Sequence, residues 1–318
     1  MTAKKPRVSL SELLSRYLSA EFSVLSEWSN SIKAKAQFDG GTKVASLYLC
    51  DDQSELSVTL SRLRLAREAG AAGITPATVE IDAAPDGLPA YSCVHIREYV
   101  EGTPLSREEF MQDTLPMAKI ASRLHRLSVR EDRDTLFASS FGHEERLRSV
   151  AIASIVPQTG WPELNALADR VRDAWEKVKP ELSASDLIAP DGFVPVHGDF
   201  GWHNMVRSPS GNLQVLDFDS ANVFDMALDF IWPLEHLDSS HASEWLSAYG
   251  LPLDSHADVI RRRDGLAIRR KVEVASQMLY NAVYSITGDL IDGLPAKRMV
   301  PARAFEVANW HLDSQIRA

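Results

Sequence analysis

Cysteine is nearly missing from this 318-residue chain, which holds only Cys50 and Cys93. Two thiols at that spacing make neither a disulfide framework nor a zinc-type cluster. Long apolar runs are missing as well. No stretch reaches bilayer-spanning length, and "MTAKKPRVSL" has no apolar core after its charges. A membrane or exported protein is therefore not indicated. Basic excess is the third absence. Lys and Arg number 34 against 44 Asp and Glu, a net charge of −10, with a pI of about 5.4. That balance argues against a nucleic-acid partner. The densest basic stretch, Arg261-Arg262-Arg263 with Arg269-Arg270-Lys271, reads as solvated helix faces. Internal repeats and low-complexity linkers do not occur. What is present, 45% hydrophobic and 25% charged residues, describes a globular protein with room for substantial cores. A cytoplasmic enzyme or small-molecule binder is the expectation.

Hydropathy patterning divides the chain. In "SLSELLSRYL", Ser9 and Glu12 stand at capping-box spacing, with Leu10, Leu13, Leu14, Tyr17 and Leu18 on one helical face. "SIKAKAQF" alternates Ile32, Ala34, Ala36 and Phe38 with Lys33, Lys35 and Gln37. "DGG" at 39–41 turns it into a returning strand, "TKVASLYLC". A helix follows over about 54–68, closed by Gly70, Gly73 and Pro76, and then two strand candidates, "TPATVEI" and "AYSCVHIREYV". From Ser106 the pattern turns helical. Ser106 and Glu109 form a second capping box, and Met111, Leu115, Ala118, Ala121 and Leu124 predict one helix with a buried face. Further helical patterns fall at 162–184, 225–248, 256–286 and 301–316. Strand signals in this half are "VPV", "NMVR" and "LQVLDF", the last two joined by the turn "SPSGN". The expectation is an α+β chain, with a small β-rich lobe over 1–99 and a larger, mainly helical lobe over 100–318.

Chemistry concentrates in "VHGDFGWHNMV" (196–206) and "LDFDS" (216–220). Asp199 and Asn204 share a loop between two short strands, and Asp217 ends the strand that pairs back. A tight hairpin would bring Asn204 and Asp217 together, with Asp199 at the mouth of the same cleft. A carboxylate and an amide oxygen are hard ligands suited to Mg²⁺. A second carboxylate remains for a proton, which completes the inventory for phosphoryl transfer. The offset from Asp199 to Asn204 is that of the protein-kinase loop H-R-D-x-x-x-x-N, but Gly198 replaces the Arg and "DFD" replaces "DFG". This variant resembles the aminoglycoside phosphotransferase and choline-kinase-like family. So do "DSANVFDMALDF", with Asp225 and Asp229 but Met226 for the usual Pro, "KIASRLHRL" with His125, "REYVEGTPL" and "WSNSIKAKAQFDGG". The tripeptide HGD alone is weak; HGD with Asn204 and a strand-end Asp217 is specific.

The resemblance implies a bilobal protein-kinase-like fold and a kinase that moves the γ-phosphate of ATP or GTP to a hydroxyl of a small metabolite or antibiotic. Neither nucleic acid nor membrane is an expected partner. Asp199 would be the base, with Asn204 and Asp217 holding Mg²⁺. Residues 1–99 would bind the nucleotide, Ser29-Asn30-Ser31 as the covering loop and the Arg97-Glu98-Tyr99 backbone against adenine. Residues 100–318 would hold catalysis and acceptor. His197 and Asp219 would organise the loop, and His203, Trp232, Glu235 and Asp238 are acceptor candidates. His125 reads as a satisfied core histidine, Trp202 as packing. One family feature departs. The strand lysine and its helix Glu have no counterpart, because "VASLYLCDD" puts Tyr48 or Cys50 in the lysine slot, Lys43 has the opposite parity, and the next helix is arginine-rich with Glu68 near its end. Either Lys33 or Lys35 replaces that charge, or the alignment is off, or the nucleotide site is degraded. The rival reading is thus a catalytically silent kinase-like binding module. A protein kinase is disfavoured by Gly198 and "DFD". Residues 230–318 carry eleven acidic and ten basic residues, a net of −1. That points to an acceptor of low positive charge, macrolide-, nucleoside- or sugar-like, rather than a polyamine aminoglycoside.

Overall fold

The computed structural model describes residues 9–18, 20–112, 114–140, 161–182, 193–235, 237–288 and 296–313. The chain forms two compact units, Met1–Thr103 with Val206–Asp219, and Pro104–Met205 with Ser220–Ala318. The ends of two predicted helices, 183–184 and 314–316, lie outside the described residues.

In the first unit, α1 (Leu10–Tyr17) starts at its capping box, with Glu12 N donating to Ser9 Oγ at 3.1 Å and Ser9 N to Glu12 Oε2 at 2.9 Å. The antiparallel sheet follows: β1 (Phe22–Glu27), β2 (Ser31–Phe38), β3 (Gly41–Leu49), β4 (Thr78–Ala83) and β5 (Ser92–Glu98), in the order β1-β2-β3-β5-β4. Period-two alternation gives it two distinct faces. Ile32, Ala34, Ala36, Ala45, Leu47, Val94 and Ile96 bury against Leu10, Leu13, Leu14 and Leu18. Each fully buried leucine or isoleucine there contributes roughly 1.5–3 kcal/mol. The other face carries the chemistry. Register sets Lys33 beside Ser46 and Ser46 beside His95, then Lys35 beside Val44 and Val44 beside Arg97. α2 (Gln53–Ala71) is capped by Asp52, which accepts from Glu55 N, and packs Leu56 and Leu63 with Cys93 and Tyr48. Strands β8 (Met205–Arg207) and β9 (Leu213–Val215) form a hairpin closed by Ser208 N to Asn212 O at 2.9 Å. Val215 N donates to Ile74 O at 2.9 Å, so the hairpin ties to the loop after α2 and delivers Asp217 to this unit.

The chain passes from one unit to the other at the two-residue strand β6 (Thr103–Pro104). Two short helices, α3 (Arg107–Gln112) and α4 (Leu115–Leu124), then stand where one was predicted. The Ser106–Glu109 capping box is present, but Pro116 lacks an N–H and opens a new helix instead of extending the old one. Met111 and Leu115 are consequently exposed, while Ala118, Ala121 and Leu124 are buried. After α5 (Arg133–Ser140) come α6 (Pro162–Leu182) and β7 (Phe193–Val196), which pairs antiparallel with β10 (Asn222–Asp225). The helix predicted over 225–248 is likewise broken. Asp225 caps a 3-10 turn, Met226–Phe230, that runs into α7 (Ile231–Leu234), and Asp238 caps α8 (Ser239–Tyr249). Each side-chain cap restarts the helix. α9 (His256–Thr287) and α10 (Pro301–Asp313) pack with α6 around Leu164, Leu167, Val171, Leu279, Tyr280 and Val283. A second core packs Phe230 edge-to-face with Trp245 and Tyr249, each with ring centroids 4.9 Å apart, and Trp245 Nε1 donates to Thr114 O at 2.9 Å.

Candidate active site

In the second unit, β7 ends at Val196 and the chain turns through His197, Gly198 and Asp199. Gly198 has φ +79°, and a Cβ there would lie 2.2 Å from Ser220 O, so glycine is required. The fully buried Asp229 fixes this turn. It accepts from His197 N at 2.7 Å, Gly198 N at 2.8 Å and His125 Nε2 at 3.0 Å, while the second nitrogen of His125 meets Tyr249 Oη at 2.8 Å. Asp199 N donates to His197 Nδ1 at 3.3 Å. The Asp199 carboxylate is itself well held. Oδ2 accepts from His203 Nε2 and Asn204 Nδ2, both at 3.0 Å, and Oδ1 lies 3.3 Å from Arg270 Nη2. Burial works to raise its pKa, but the His203 hydrogen bond and the Arg270 charge prevail and hold it far below the usual carboxylate range. Asn204 Nδ2 also donates to Asp199 O at 2.9 Å. With Nδ2 committed, the Asn204 amide oxygen is the atom left for a hard cation.

In the first unit a second charged group has formed on the polar face of the sheet. Lys33 Nζ lies 2.6 Å from Asp217 Oδ1 and 2.8 Å from Asp219 Oδ2. Its side chain is 14% exposed. Burial pulls its pKa down, yet the Asp219 and Asp217 carboxylates outweigh that and keep the ammonium well above its ordinary value. Asp217 sits in the left-handed region, φ +64°, immediately before a 3-10 turn, Phe218–Ser220. Asp219 also accepts from Tyr48 Oη at 2.9 Å. Its own pKa is raised, by burial first and then by the neighbouring Asp217 charge. Arg97 and His95 complete the face. His95 pairs with Thr78 Oγ1 at 3.0 Å, and burial, with the charges of Arg97 and Lys33, holds it neutral with a pKa of about 3.

These two groups, an Asp–Asn pair on a strand-fed loop and a lysine on two aspartates, suit an enzyme handling phosphates. A profile of the "Phosphotransferase enzyme family" matches residues 35–260. The chain belongs to that family. A search of curated protein sequences found no match. Among solved structures, a Plasmodium vivax ethanolamine kinase is similar at TM-score 0.61 and 12% identity, over 94% of this chain and 82% of that one. A choline kinase from Streptococcus pneumoniae gives 0.56 at 15% identity, covering 96% and 98% of the two chains. The GDP and kanamycin complex of an aminoglycoside 2″-phosphotransferase gives 0.57 at 14%, again over 96% and 98%. At such identities the likeness shows the fold, and the protein is a phosphotransferase with a kinase-like α+β fold.

The other sequence-derived residues of this phosphotransferase divide between places. Ser29 and Asn30 form the turn between β1 and β2, with Trp28 N donating to Ser31 O and Leu49 N to Asn30 O, both at 2.7 Å. Lys35 Nζ lies 4.0 Å from the Tyr99 ring centroid, and Glu98 pairs with Lys43 at 2.7 Å. Trp232 is buried, 5.8 Å from Trp202 between centroids, and Glu235 pairs with Lys271 at 3.2 Å. Asp238 instead is exposed; it caps α8 and pairs with His241 at 2.9 Å. The basic stretch departs most from expectation. Arg261 is on the surface, but Arg262 is buried and bonded to Asp225 at 2.8 Å, Arg269 reaches Glu273 at 2.5 Å, and Arg270 meets Asp199. A signal existed. Val259, Arg262, Leu266, Arg269 or Arg270, and Glu273 recur at three- and four-residue spacing, one face of α9. As for Mg²⁺, the donors present fit it. In the first unit the Asp217 and Asp219 carboxylates, which meet at Lys33 Nζ, are hard donors of the kind it takes, and in the second unit the Asn204 amide oxygen is a hard neutral one.

Proposed function

We propose that this phosphotransferase transfers the γ-phosphoryl group of ATP or GTP to a hydroxyl of a small molecule. The observation that carries the reading is Lys33. The sequence has no lysine in the family's strand position, and that gap favoured a silent module. A buried ammonium on Asp217 and Asp219 supplies the charge from β2. Ethanolamine, choline and kanamycin in the names of the similar structures set the scale of the acceptor. ADP and GDP in such structures support a nucleotide donor.

On this reading Asp199 addresses the acceptor. Its ionised carboxylate orients the hydroxyl along the line of attack and receives the proton late. The bond from the acceptor oxygen to the γ-phosphorus forms as the bond from that phosphorus to the β–γ bridging oxygen breaks, releasing the nucleoside diphosphate. Asn204 and Asp217 are the residues assigned to Mg²⁺, which neutralises phosphate charge when bound. Lys33 adds a fixed positive charge for the phosphates, and Asp219 with Tyr48 positions Lys33. Asp229 and His197 hold the loop backbone so that Asp199 keeps its direction. A thermal-shift titration with MgATP and MgGTP tests this. Stabilisation that requires Mg²⁺ is expected with at least one nucleotide, and no response to either would return the silent binding module.

A further inference from the structure

Arg270 was not anticipated as a site residue, and its contacts say something about the acceptor. Its guanidinium, 23% exposed, lies 3.3 Å from Asp199 Oδ1 and 3.5 Å from Glu273 Oε2. Glu273 is shared, because Arg269 Nε holds its other oxygen at 2.5 Å. Two guanidiniums thus divide one carboxylate, and Arg270 leans on the very group that must engage the acceptor hydroxyl. Glu235 is taken by Lys271. The aromatic faces that could cage an organic cation carry one already, with the Arg107 guanidinium 5.6 Å from the Trp202 ring and 5.2 Å from Trp310. Counting the named charges gives Arg107, Arg269, Arg270 and Lys271 against Asp199, Glu235 and Glu273, four positive to three negative. Two of the same cations also act on a neighbouring ring. Buried His311, 6.0 Å from Trp232 between rings, has its pKa pushed down to about 4 by burial and then by Lys271 and Arg270. In a chain of net charge −10, this corner of the second unit is locally positive.

We propose that the acceptor carries an anionic group, a carboxylate or a phosphate ester beside its hydroxyl, and that Arg270 binds this group as it gives up Asp199. The proposal rests on the kinase reading above. Exchange of one anion for another leaves the guanidinium paired throughout, which a neutral acceptor would not do. It also frees Asp199 Oδ1 for the hydroxyl only when the acceptor is in place. A cationic acceptor would meet Arg270, Lys271 and Arg107 and be repelled.

Calorimetric titration of the whole protein without nucleotide, using glycerate, glycerol 3-phosphate, glycerol and choline, tests the acceptor class alone. At least one of the two anions is expected to bind about tenfold or more tightly than glycerol and choline, with an advantage that shrinks as salt is added. Which anion wins separates carboxylate from phosphate recognition. Arg270→Gln should abolish the advantage and Arg270→Lys should keep part of it. Glycerol or choline binding as tightly as both anions, no anion binding at millimolar concentration, or anion binding unchanged in Arg270→Gln would overturn the proposal. Failure of the kinase reading shows elsewhere, as absence of Mg²⁺-dependent nucleotide binding.

Discussion

At the residue scale, Asp199 is surrounded by donors from His203, Asn204 and Arg270. A carboxylate so stabilised is a weak base. On the proposed reading it works by orientation and by taking a proton already leaving the hydroxyl. Asp199→Asn keeps the shape but removes that capacity, so turnover should fall about a hundredfold or more while calorimetric MgATP affinity stays near wild type. Near-normal turnover would remove Asp199 from its role. The lysines make a sharper pair. Lys33 and Lys35 lie on one face of β2, so parity in the sequence could not choose between them. What separates them is depth along the strand. Lys33 reaches Asp217 and Asp219, whereas Lys35 stacks on Tyr99, and that pairing depends on a hairpin arriving from position 206 onward. Lys33→Ala should therefore lose nucleotide affinity, and Lys35→Ala should cost only about 0.5–1 kcal/mol of stability. Equal, small effects on nucleotide binding would eliminate Lys33 as the substitute charge.

At the element scale, legibility followed local chemistry. Both capping boxes and the β2–β3 hairpin were readable because a cap or a tight turn is decided by residues three or four apart. Helix continuity over 106–124 and 225–248 was not, since Pro116 and the Asp225 and Asp238 side chains stop a pattern that apolar spacing carries onward. β10, Asn222–Asp225, was missed because it is only four residues long and its last residue, Asp225, opens the segment that looked helical. The basic stretch of α9 failed differently. Composition said surface, and period would have said interior. Arg262 lies between Val259 and Leu266 on the buried face, where its guanidinium meets Asp225, itself 1% exposed. Arg262→Met removes the guanidinium from that buried carboxylate, which keeps only neutral donors such as Ala227 N, a loss of about 3–5 kcal/mol. Arg261→Met, one residue away on the surface, should stay within about 0.5 kcal/mol of wild type. Urea unfolding of the two variants side by side checks this. A similar small loss from both would mean that Arg262 does not pin α9 to the Asp225 strand.

At the scale of the whole molecule, each unit holds a buried histidine whose pKa is pushed down, His95 in the first and His311 in the second. Burial depresses both, His95 to about 3 with help from Arg97 and Lys33, and His311 to about 4 with help from Lys271 and Arg270. In the unfolded chain both titrate near 6.5. The unfolded state therefore binds more protons below that pH, and stability must fall as pH falls. The contribution is fully present above about 6.5 and is lost progressively toward 4, at up to about 1.4 kcal/mol per pH unit for each histidine. Carboxylates with lowered values, such as Asp199, add their share only at still lower pH, because their unfolded pKa lies near 4. The window from 6.5 to 5 thus separates the histidines from the carboxylates with lowered values. Urea midpoints measured at pH 7.5, 6 and 5 should decline across that window. His95→Gln, which keeps a hydrogen-bonding partner for Thr78 but cannot be protonated, should remove the part of the slope that belongs to the first unit. A midpoint flat from 7.5 to 5, or a slope unchanged in His95→Gln, would show that the polar face of the sheet takes up a proton without cost. The positive charge of Lys33 and Arg97 on that face would then not be felt at His95.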